Sequence, residues 1–162
     1  MKLTSFTDYS LRVLIYLAAD PDHRATIAEI AAAYNISENH LIKVVHFLSK
    51  GGWLVSIRGK GGGLELGRPA REVRVGDVVR ETEGAAVVAE CFGEAGGDCC
   101  ISPNCRLKGV LGEAVRAFYA VLDRYTLADL VVNRKQLATV LFMERAPVPV
   151  APPRGKAAHR AR

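Results

Sequence analysis

The order of structural signals in residues 26–66 limits the fold of this chain more than any other feature does. Thr26-Ile27-Ala28-Glu29 is a capping box, in which a threonine hydroxyl and a glutamate carboxylate satisfy free N–H groups at a helix start. It predicts a short helix from Ile27 to Tyr34. Asn35-Ile36 then predicts a tight turn. Two short helices around such a turn indicate either a helix-turn-helix or an ordinary helical corner.

A glycine-rich hairpin follows the second of these helices. Ser37 is expected to cap that helix, which runs to Lys50 and stops at Gly51-Gly52. A strand over residues 53–57, a turn and a returning strand over residues 64–66 come next. A hairpin in this position favours a winged helix-turn-helix. Its turn, residues 58–63, is rich enough in glycine to suggest a phosphate-binding loop, but no helix follows at once and no Lys-Ser or Lys-Thr closes it.

Further helices are predicted on both sides of this unit. Thr4 or Ser5 caps a first helix that ends near Ala19, and residues 75–83 form a fourth. A long helix begins at Cys105, and a short one is expected over residues 135–143. The long helix carries an apolar stripe that needs a partner helix, and a homodimer is favoured over an intramolecular partner because few other helices remain. The stripe consists of Leu107, Leu111, Ala114, Phe118, Val121 or Leu122, and Tyr125.

Together these patterns predict a mainly α fold with a small β-hairpin wing, built as a winged helix-turn-helix domain and a long C-terminal dimerisation helix. The winged domain takes residues 1–83, and a cysteine-bearing loop takes residues 84–105. The dimerisation helix and a C-terminal helix take residues 106–144. Residues 145–162 combine prolines, small residues and isolated basic residues, and are expected to be disordered.

Charge is distributed unevenly along the chain. The formal net charge is +5, and residues 145–162 account for all of it. Residues 37–74 hold seven Lys or Arg against three acids, whereas residues 75–105 hold one Arg against six acids. A neutral body with one basic face suits the binding of a polyanion such as DNA. An unevenly charged solvated surface gives the same pattern.

The sequence also argues against membrane and enzyme classes. The longest apolar run, Val13–Ala19, has seven residues and is too short to cross a bilayer. No secretory leader is recognised, so a cytoplasmic location is expected. In that reducing compartment, clustered thiols favour metal or redox chemistry over disulfides. No catalytic triad, paired acid–base carboxylates or Walker loop is evident, and no enzyme is predicted.

The recognition helix and the wing carry the residues expected to contact DNA. The N-terminal part of the helix would face base edges in the major groove, where Asn39 pairs with adenine and Lys43 reaches guanine or phosphate. A lone histidine such as His40 is more often a surface residue than a base reader. Arg58 is expected in a minor groove or on phosphate. The predicted DNA-binding residues are Ser37, Glu38, Asn39, His40, Lys43, Arg58, Lys60 and Gly61.

All four cysteines lie between Cys91 and Cys105 in a segment without the pattern of a packed core. Structural zinc sites prefer cysteines two to four residues apart, and the wider spacing here fits an iron–sulfur cluster better. A redox disulfide and a zinc site remain alternatives. The adjacent pair Cys99-Cys100 is awkward for two ligands on one ion. If only one of them ligates, a fourth ligand such as a carboxylate must come from elsewhere.

The sequence closely resembles the nitric-oxide-sensing repressors of the Rrf-type winged-helix regulators, a family that also includes iron–sulfur regulators of the IscR type. The likeness runs from Met1 to about Leu141. It rests on six segments: Leu3-Thr4-Ser5-Phe6-Thr7-Asp8-Tyr9, Asn39-His40-Leu41-Ile42-Lys43, Arg58-Gly59-Lys60-Gly61-Gly62-Gly63, Gly76-Asp77-Val78-Val79-Arg80-Glu81, Ile101-Ser102-Pro103-Asn104-Cys105-Arg106-Leu107-Lys108 and Tyr125-Thr126-Leu127-Ala128-Asp129-Leu130.

The resemblance implies a homodimer with one [4Fe-4S] cluster per subunit, whose cluster-bearing form represses genes of nitric oxide detoxification from a palindromic double-stranded operator. It implies that Cys91, Cys99 and Cys105 ligate the cluster and that Asp8 of the partner subunit is the fourth ligand. The first spacer between cysteines is longer than in the family, and Cys100 is an extra thiol that is an alternative to Cys99. Asp8 taken without the family is a first-turn acid that pairs with Arg12.

Two other functions stay open at this stage. An IscR-like regulator of iron–sulfur or iron status would use a [2Fe-2S] cluster. Such relatives place a histidine soon after the last cysteine, where this chain has Leu107 and Lys108. An electron-transfer or redox protein, in which the winged domain only docks a partner, is the other hypothesis. The wing and the basic residues around it argue against that class.

Overall fold

A computed structural model describes residues 2–84, 88–93 and 99–142. Helices dominate it, and one antiparallel pair of strands is the only sheet within these residues. The elements are α1 Ser5–Ala19, α2 Ile27–Tyr34, α3 Glu38–Lys50, β1 Leu54–Ile57, β2 Gly63–Leu66, α4 Val75–Glu83, α5 Arg106–Leu122, α6 Leu127–Leu130 and α7 Arg134–Phe142, with 3₁₀ turns at Ala70–Glu72, Glu90–Phe92 and Ser102–Asn104.

The predicted helix-turn-helix is present as α2 and α3. Both halves of the capping box form at the start of α2: the backbone N–H of Glu29 donates to Thr26 Oγ1, and that of Thr26 donates to Glu29 Oε2. Asn35 has a left-handed backbone with φ of 53°, which turns the chain sharply towards α3. Ser37 does occupy the N-cap position of α3. The prediction that its side chain caps the helix is wrong, because Ser37 makes no side-chain cap hydrogen bond.

The wing is the β1–β2 hairpin, in which Leu54 lies opposite Leu66 and Ile57 opposite Gly63. A bridge between Ala25 and Leu64 adds a third short strand contact, with Leu64 N–H donating to Ala25 O at 2.7 Å. Gly63 allows this close approach, because a Cβ at that position would lie 3.1 Å from Ala25 O. The segment before α2 therefore holds the strand β2 of the wing near its turn.

The core forms around α1, which packs against α3, α4, α6 and α7. Its buried side includes Val13, Leu14, Tyr16, Leu17 and Ala18. The largest side chains that are essentially inaccessible are Leu14, Ile30, Leu41, Leu48, Leu54, Leu127, Val13, Val44, Val73, Val78, Val79 and Val131. Both helices of the helix-turn-helix, the wing and α4 contribute to this list, so they pack as one unit.

The long helix α5 has no buried residue within the described chain. Leu107 and Val110 are 62% and 61% exposed. The predicted stripe continued to Tyr125, but the helix ends at Leu122. Tyr125 instead accepts a backbone hydrogen bond from Val75, and Thr126 opens the capping box of the short helix α6. These contacts end α5 earlier than the apolar spacing predicts.

The last described helix, α7, packs against α1 and α2. Its Phe142 ring meets the Tyr16 ring edge-on at 4.9 Å between centroids. The short C-terminal helix was predicted to reach Met143, which lies outside the described residues together with the predicted disordered tail, residues 145–162. No described helix combines the length and the apolar composition that a membrane crossing requires.

Candidate functional site

The recognition helix α3 presents one polar face and one buried face. Leu41, Val44 and Leu48 are buried against the core. The predicted DNA-contacting residues of this helix all lie on the exposed side: Ser37, Glu38, Asn39, His40 and Lys43. Since the Ser37 hydroxyl does not cap the helix, it is free to donate to a phosphate. The structure thus brings these five residues to one exposed edge.

Two exposed residues on α3 were missed by the sequence reasoning. Ile42 is 50% exposed, and His46 is also exposed. They lie three and seven positions after Asn39, which places all three on one face of the helix. An exposed isoleucine suits contact with a thymine methyl group. An apolar residue on the outer side of an otherwise regular helical pattern is the signal that could have identified Ile42.

The orientation of α3 is supported by aromatic contacts from α1. The rings of Tyr9 and His40 stack with centroids 6.3 Å apart, and Phe6 meets Phe47 edge-on at 5.2 Å. His40 therefore has an intramolecular partner as well as an exposed edge. Tyr9 was not predicted as a site residue, because a contact between two helices leaves no local pattern.

The wing holds its cations at an exposed turn. Arg58, Lys60 and Gly61 are all exposed, as predicted for residues that touch a nucleic acid. Arg24 braces the turn from outside: its Nε donates to Glu65 Oε2 at 3.0 Å, and its Nη1 donates to Gly61 O at 3.4 Å. Arg24 was not predicted as a site residue. Its position beside the wing turn follows from the bridge between Ala25 and Leu64.

The four thiols are free, and their positions differ. Cys91 lies half-buried in the turn Glu90–Phe92, and Cys105 is half-buried at the N-cap of α5. Cys99 and Cys100 are exposed. Four uncommitted, accessible sulfurs suit thiophilic iron, so the chemistry of the donor set fits an iron–sulfur cluster. Residues 94–98, inside the predicted cluster loop, lie outside the described residues.

The structure does not bring a complete ligand set together in one chain. Among residues 2–84, 88–93 and 99–142, no group of three or more His, Cys, Asp or Glu side chains is placed to hold a metal ion. Asp8, the predicted fourth ligand, instead pairs with Arg12, with 2.9 Å between Oδ2 and Nη2. The Asp8 side chain is 45% exposed, so it is also accessible from outside the subunit.

Arg12 also lies close to an aromatic ring. Its guanidinium lies 5.7 Å from the centre of the Tyr34 ring. Burial raises the pKa of Tyr34 to about 12, so the phenol keeps its proton at neutral pH. Arg12 therefore contacts the carboxylate of Asp8 and the neutral ring of Tyr34.

Comparisons with known proteins agree with this geometry. The model of the Rrf2 family, described as iron-dependent transcriptional regulators, matches residues 3–133. The chain is 50% identical over 145 residues to the HTH-type transcriptional regulator NsrR of Bacillus subtilis (strain 168), which corresponds to 89% of this chain and 99% of that protein.

Solved structures show the same fold. The oxidized form of Staphylococcus aureus CymR is similar with a TM-score of 0.65 and 29% identity, over 82% of this chain and 97% of that one. IscR of T. potens is similar with a TM-score of 0.66 and 25% identity, over 91% of this chain and 94% of that one. The chain therefore has the winged-helix architecture of these regulators.

Proposed function

Because the chain belongs to the Rrf2 family of transcriptional regulators, we propose that it is a homodimeric repressor that binds a palindromic operator. In this proposal DNA binding requires a [4Fe-4S] cluster, and the reaction of that cluster with nitric oxide releases the operator. As a member of this family it is a DNA-binding transcriptional regulator and not an enzyme. One observation carries the proposal. The segment with all four thiols connects α4, which packs on α1 of the DNA-binding unit, to α5, which has no buried residue.

DNA recognition rests on the exposed edge of α3 and on the wing. Asn39 and Lys43 can donate to base edges from a helix in the major groove, while the free hydroxyl of Ser37 donates to phosphate. Arg58 and Lys60 reach the neighbouring groove or backbone from the wing turn. Glu38 is the acidic residue on this face. Its carboxylate repels a phosphate placed beside it and accepts a hydrogen bond from a cytosine amino group.

The proposed cluster ligands are the thiolates of Cys91, Cys99 and Cys105 and the carboxylate of Asp8 of the partner subunit. When bound, the cluster supplies iron that reacts readily with nitric oxide. The protein residues supply the rest: three thiolates fix the segment between α4 and α5, and Asp8 must leave Arg12 to ligate across the dimer. Loss of these ligand contacts frees both the segment and Asp8. The two DNA-binding units of the dimer then no longer keep the spacing that the two half-sites require. A loss of ~3 kcal/mol of coupling free energy between the cluster and DNA weakens DNA binding by more than a hundredfold.

The homodimer is supported by the apolar surface of α5. Its exposed residues Leu107, Val110 and Val121 recur at helical spacing on a helix that the described chain leaves uncovered. A second copy of the same helix is a fitting cover, because a two-fold dimer also places two recognition helices for a palindromic operator. An exposed apolar face of this kind is otherwise a liability for aggregation.

A second candidate is a regulator that reports iron or iron–sulfur status. The description of the family as iron-dependent regulators favours it, as does the similarity to IscR of T. potens. The DNA-binding residues and the cysteine ligands would be the same. A [2Fe-2S] cluster would replace the proposed one, and the signal would be cluster supply instead of a reaction with nitric oxide.

Anaerobically purified full-length protein tests both candidates. Iron, sulfide and visible absorption define the cluster, and a gel shift with a palindromic promoter fragment is followed during titration with nitric oxide and, separately, with an iron chelator. We expect loss of absorption and DNA release to run in parallel with added nitric oxide. Release by chelator alone favours the second candidate. Iron-free protein that binds the fragment fully contradicts both.

A further inference from the structure

The last turn of α4 touches three other parts of the molecule at once. This turn, Arg80–Glu83, ends at Gly84, and the first cysteine follows at Cys91. Arg80 bonds to the end of α5, Glu81 to the start of the wing, and Thr82 and Glu83 to the start of α1. This turn is thus the last helical part of the chain before the first cysteine.

The contact with the wing runs through Trp53. Its indole Nε1 donates to Glu81 Oε2 at 2.6 Å, and the side chain is only 5% exposed. The indole N–H of a side chain buried to this degree needs an acceptor, and the carboxylate of Glu81 supplies it from an exposed position. The guanidinium of Arg68 lies over the Trp53 ring, 4.3 Å from its centre.

The same group of residues holds the end of the recognition helix. Arg68 donates to Gly51 O at 3.1 Å and to Gly52 O at 3.3 Å, the two residues that follow α3. Gly51 has no room for a side chain, because a Cβ there would lie 2.6 Å from Glu81 Oε1 and 2.7 Å from Trp53 Cδ1. Trp53 is thus packed closely against the end of α3, and the exposed side chain of Glu81 lies on the same contact.

The other contacts of the turn reach the N-terminus of α1. Thr7 Oγ1 donates to Thr82 Oγ1 at 2.9 Å, and the backbone N–H of Thr4 donates to Glu83 Oε1 at 2.7 Å. Burial alone would raise the pKa of Glu83, but hydrogen bonds from the two threonines lower it below the ordinary value. Glu83 is therefore ionised at neutral pH. It ties α4 to the residues directly before Asp8.

We propose that Trp53 and Glu81 are positioning residues for DNA binding, whose hydrogen bond transmits the state of the cysteine segment to the recognition helix and the wing. This inference rests on the proposed function. Release of the segment lets the end of α4 move and withdraws the Glu81 carboxylate from the indole. Trp53 and Arg68 then no longer hold the carbonyl ends of α3, and the recognition helix loses its fixed angle to the wing.

Two substitutions remove the bond in different ways. Trp53→Phe keeps an aromatic ring under Arg68 and deletes the donor, while Glu81→Met keeps the length of the side chain and deletes the acceptor. Glu81→Gln restores an uncharged acceptor. Glu72→Met is the matched control, because Glu72 is an exposed acid away from the indole and its loss changes the net charge equally.

The measured quantity is the ratio of operator affinities with and without the cluster, together with cluster content and thermal stability. We expect both deletions to reduce this ratio about tenfold by weakening the cluster-bearing form, and to leave the cluster-free form and the cluster content unchanged. The double variant is expected to lose no more than either single one. Glu81→Gln and Glu72→Met should retain the ratio of the unmodified protein.

Fluorescence gives a second readout, because Trp53 is the single tryptophan of the chain. We expect its emission maximum to shift to longer wavelength when the cluster is removed, and to be shifted already in cluster-bearing Glu81→Met. A large affinity ratio that persists in both deletion variants, or an emission maximum that is the same in both states, overturns this inference alone. If the operator affinity of the unmodified protein is the same with and without the cluster, both this inference and the proposed function are overturned.

Discussion

Arg80 on α4 and Asp123 at the end of α5 form a bidentate pair, with Nη1 donating to Oδ1 at 2.7 Å and Nη2 to Oδ2 at 2.6 Å. The guanidinium also lies 4.6 Å from the centre of the Tyr119 ring. Gly76 makes room for this arrangement, since a Cβ there would overlap Asp123 Oδ1. The pair joins the last turn of α4, which precedes the cysteine segment, to the C-terminal end of α5, which is the end opposite to Cys105.

The Arg80–Asp123 pair predicts a dependence of stability on pH. The hydrogen bonds from Arg80 lower the pKa of Asp123 below its ordinary value of 3.8. The stabilisation is therefore complete above that ordinary pKa and is lost as the pH falls through the lowered one. We expect Asp123→Asn to lower the melting temperature at neutral pH. We also expect the melting temperature of this variant to fall less than that of the unmodified protein when the pH is lowered.

Asp22→Asn is the control for this experiment, because exposed Asp22 has no ion pair within the described residues. Thermal unfolding followed by circular dichroism at neutral and acid pH provides the measurement. A melting curve of Asp123→Asn that coincides with that of the unmodified protein at neutral pH would show that the pair contributes nothing.

The cysteine ligands are tested by alanine substitutions. Cys91→Ala, Cys99→Ala and Cys105→Ala are expected to abolish the cluster, because each removes one thiolate from the proposed set. Cys100→Ala should leave iron, sulfide and visible absorption of the anaerobic protein nearly intact. Cys100 thus serves as the matched control for its neighbour, and colourless Cys100→Ala protein would reassign the ligand.

The wing is tested by Arg58→Ala. Removal of one phosphate contact is expected to weaken operator binding and to reduce the slope of log affinity against log salt by about one. Fluorescence anisotropy across a range of salt concentrations measures both quantities. Lys135→Ala removes an exposed cation on α7 and should change neither. If the two variants behave alike, the wing is not part of the interface.

The proposed dimer is tested by placing a charge on α5. Val110→Glu should raise the dimer dissociation constant by about 100-fold, because a carboxylate buried in an apolar interface loses its hydration. Light scattering coupled to size exclusion gives the mass. Val132→Glu is the control, since Val132 lies outside α5 and is 82% exposed. A dimer that tolerates Val110→Glu would place the interface elsewhere.

The capping box of the helix-turn-helix predicts a stability effect of known size. The hydrogen bonds from Thr26 lower the pKa of Glu29, and the pair satisfies the start of α2. Thr26→Ala should reduce the free energy of unfolding by ~1 kcal/mol, as measured by chemical denaturation. Thr139→Ala, inside α7, removes a hydroxyl that donates to the Lys135 carbonyl. Thr139→Ala should reduce the free energy of unfolding by less than Thr26→Ala does. A larger reduction in Thr139→Ala would contradict the role of the capping box.

Much of the fold was predictable because its signals are local. The capping box at Thr26, the tight turn at Asn35-Ile36 and the stop after Lys50 are each decided by neighbouring residues, and the structure confirms all three. The exposed positions of Asn39 and Lys43 follow from the same helical period. The capping box Thr126–Asp129 was equally local, and it identifies α6, which the prediction overlooked.

The site depended more on the tertiary structure. Neither the stacking of Tyr9 on His40 nor the brace from Arg24 to Gly61 has a local pattern, because the partners lie far apart in the sequence. The end of α5 at Leu122 was also set at a distance, by the bond between Tyr125 and Val75. Within the described residues, no three of the side chains that could ligate a metal come together, so the sequence prediction of a ligand set stays a prediction.

By itself, the sequence determined the helix-turn-helix, the wing and the gathering of four thiols in one segment, since backbone propensities, caps and spacing act over a few residues. Only the tertiary structure decided which side chains connect that segment to the DNA-binding unit. The bonds from Glu81 to Trp53 and from Arg80 to Asp123 span 28 and 43 positions. Such contacts form only when packing of the apolar core brings their helices together, and no local preference encodes them.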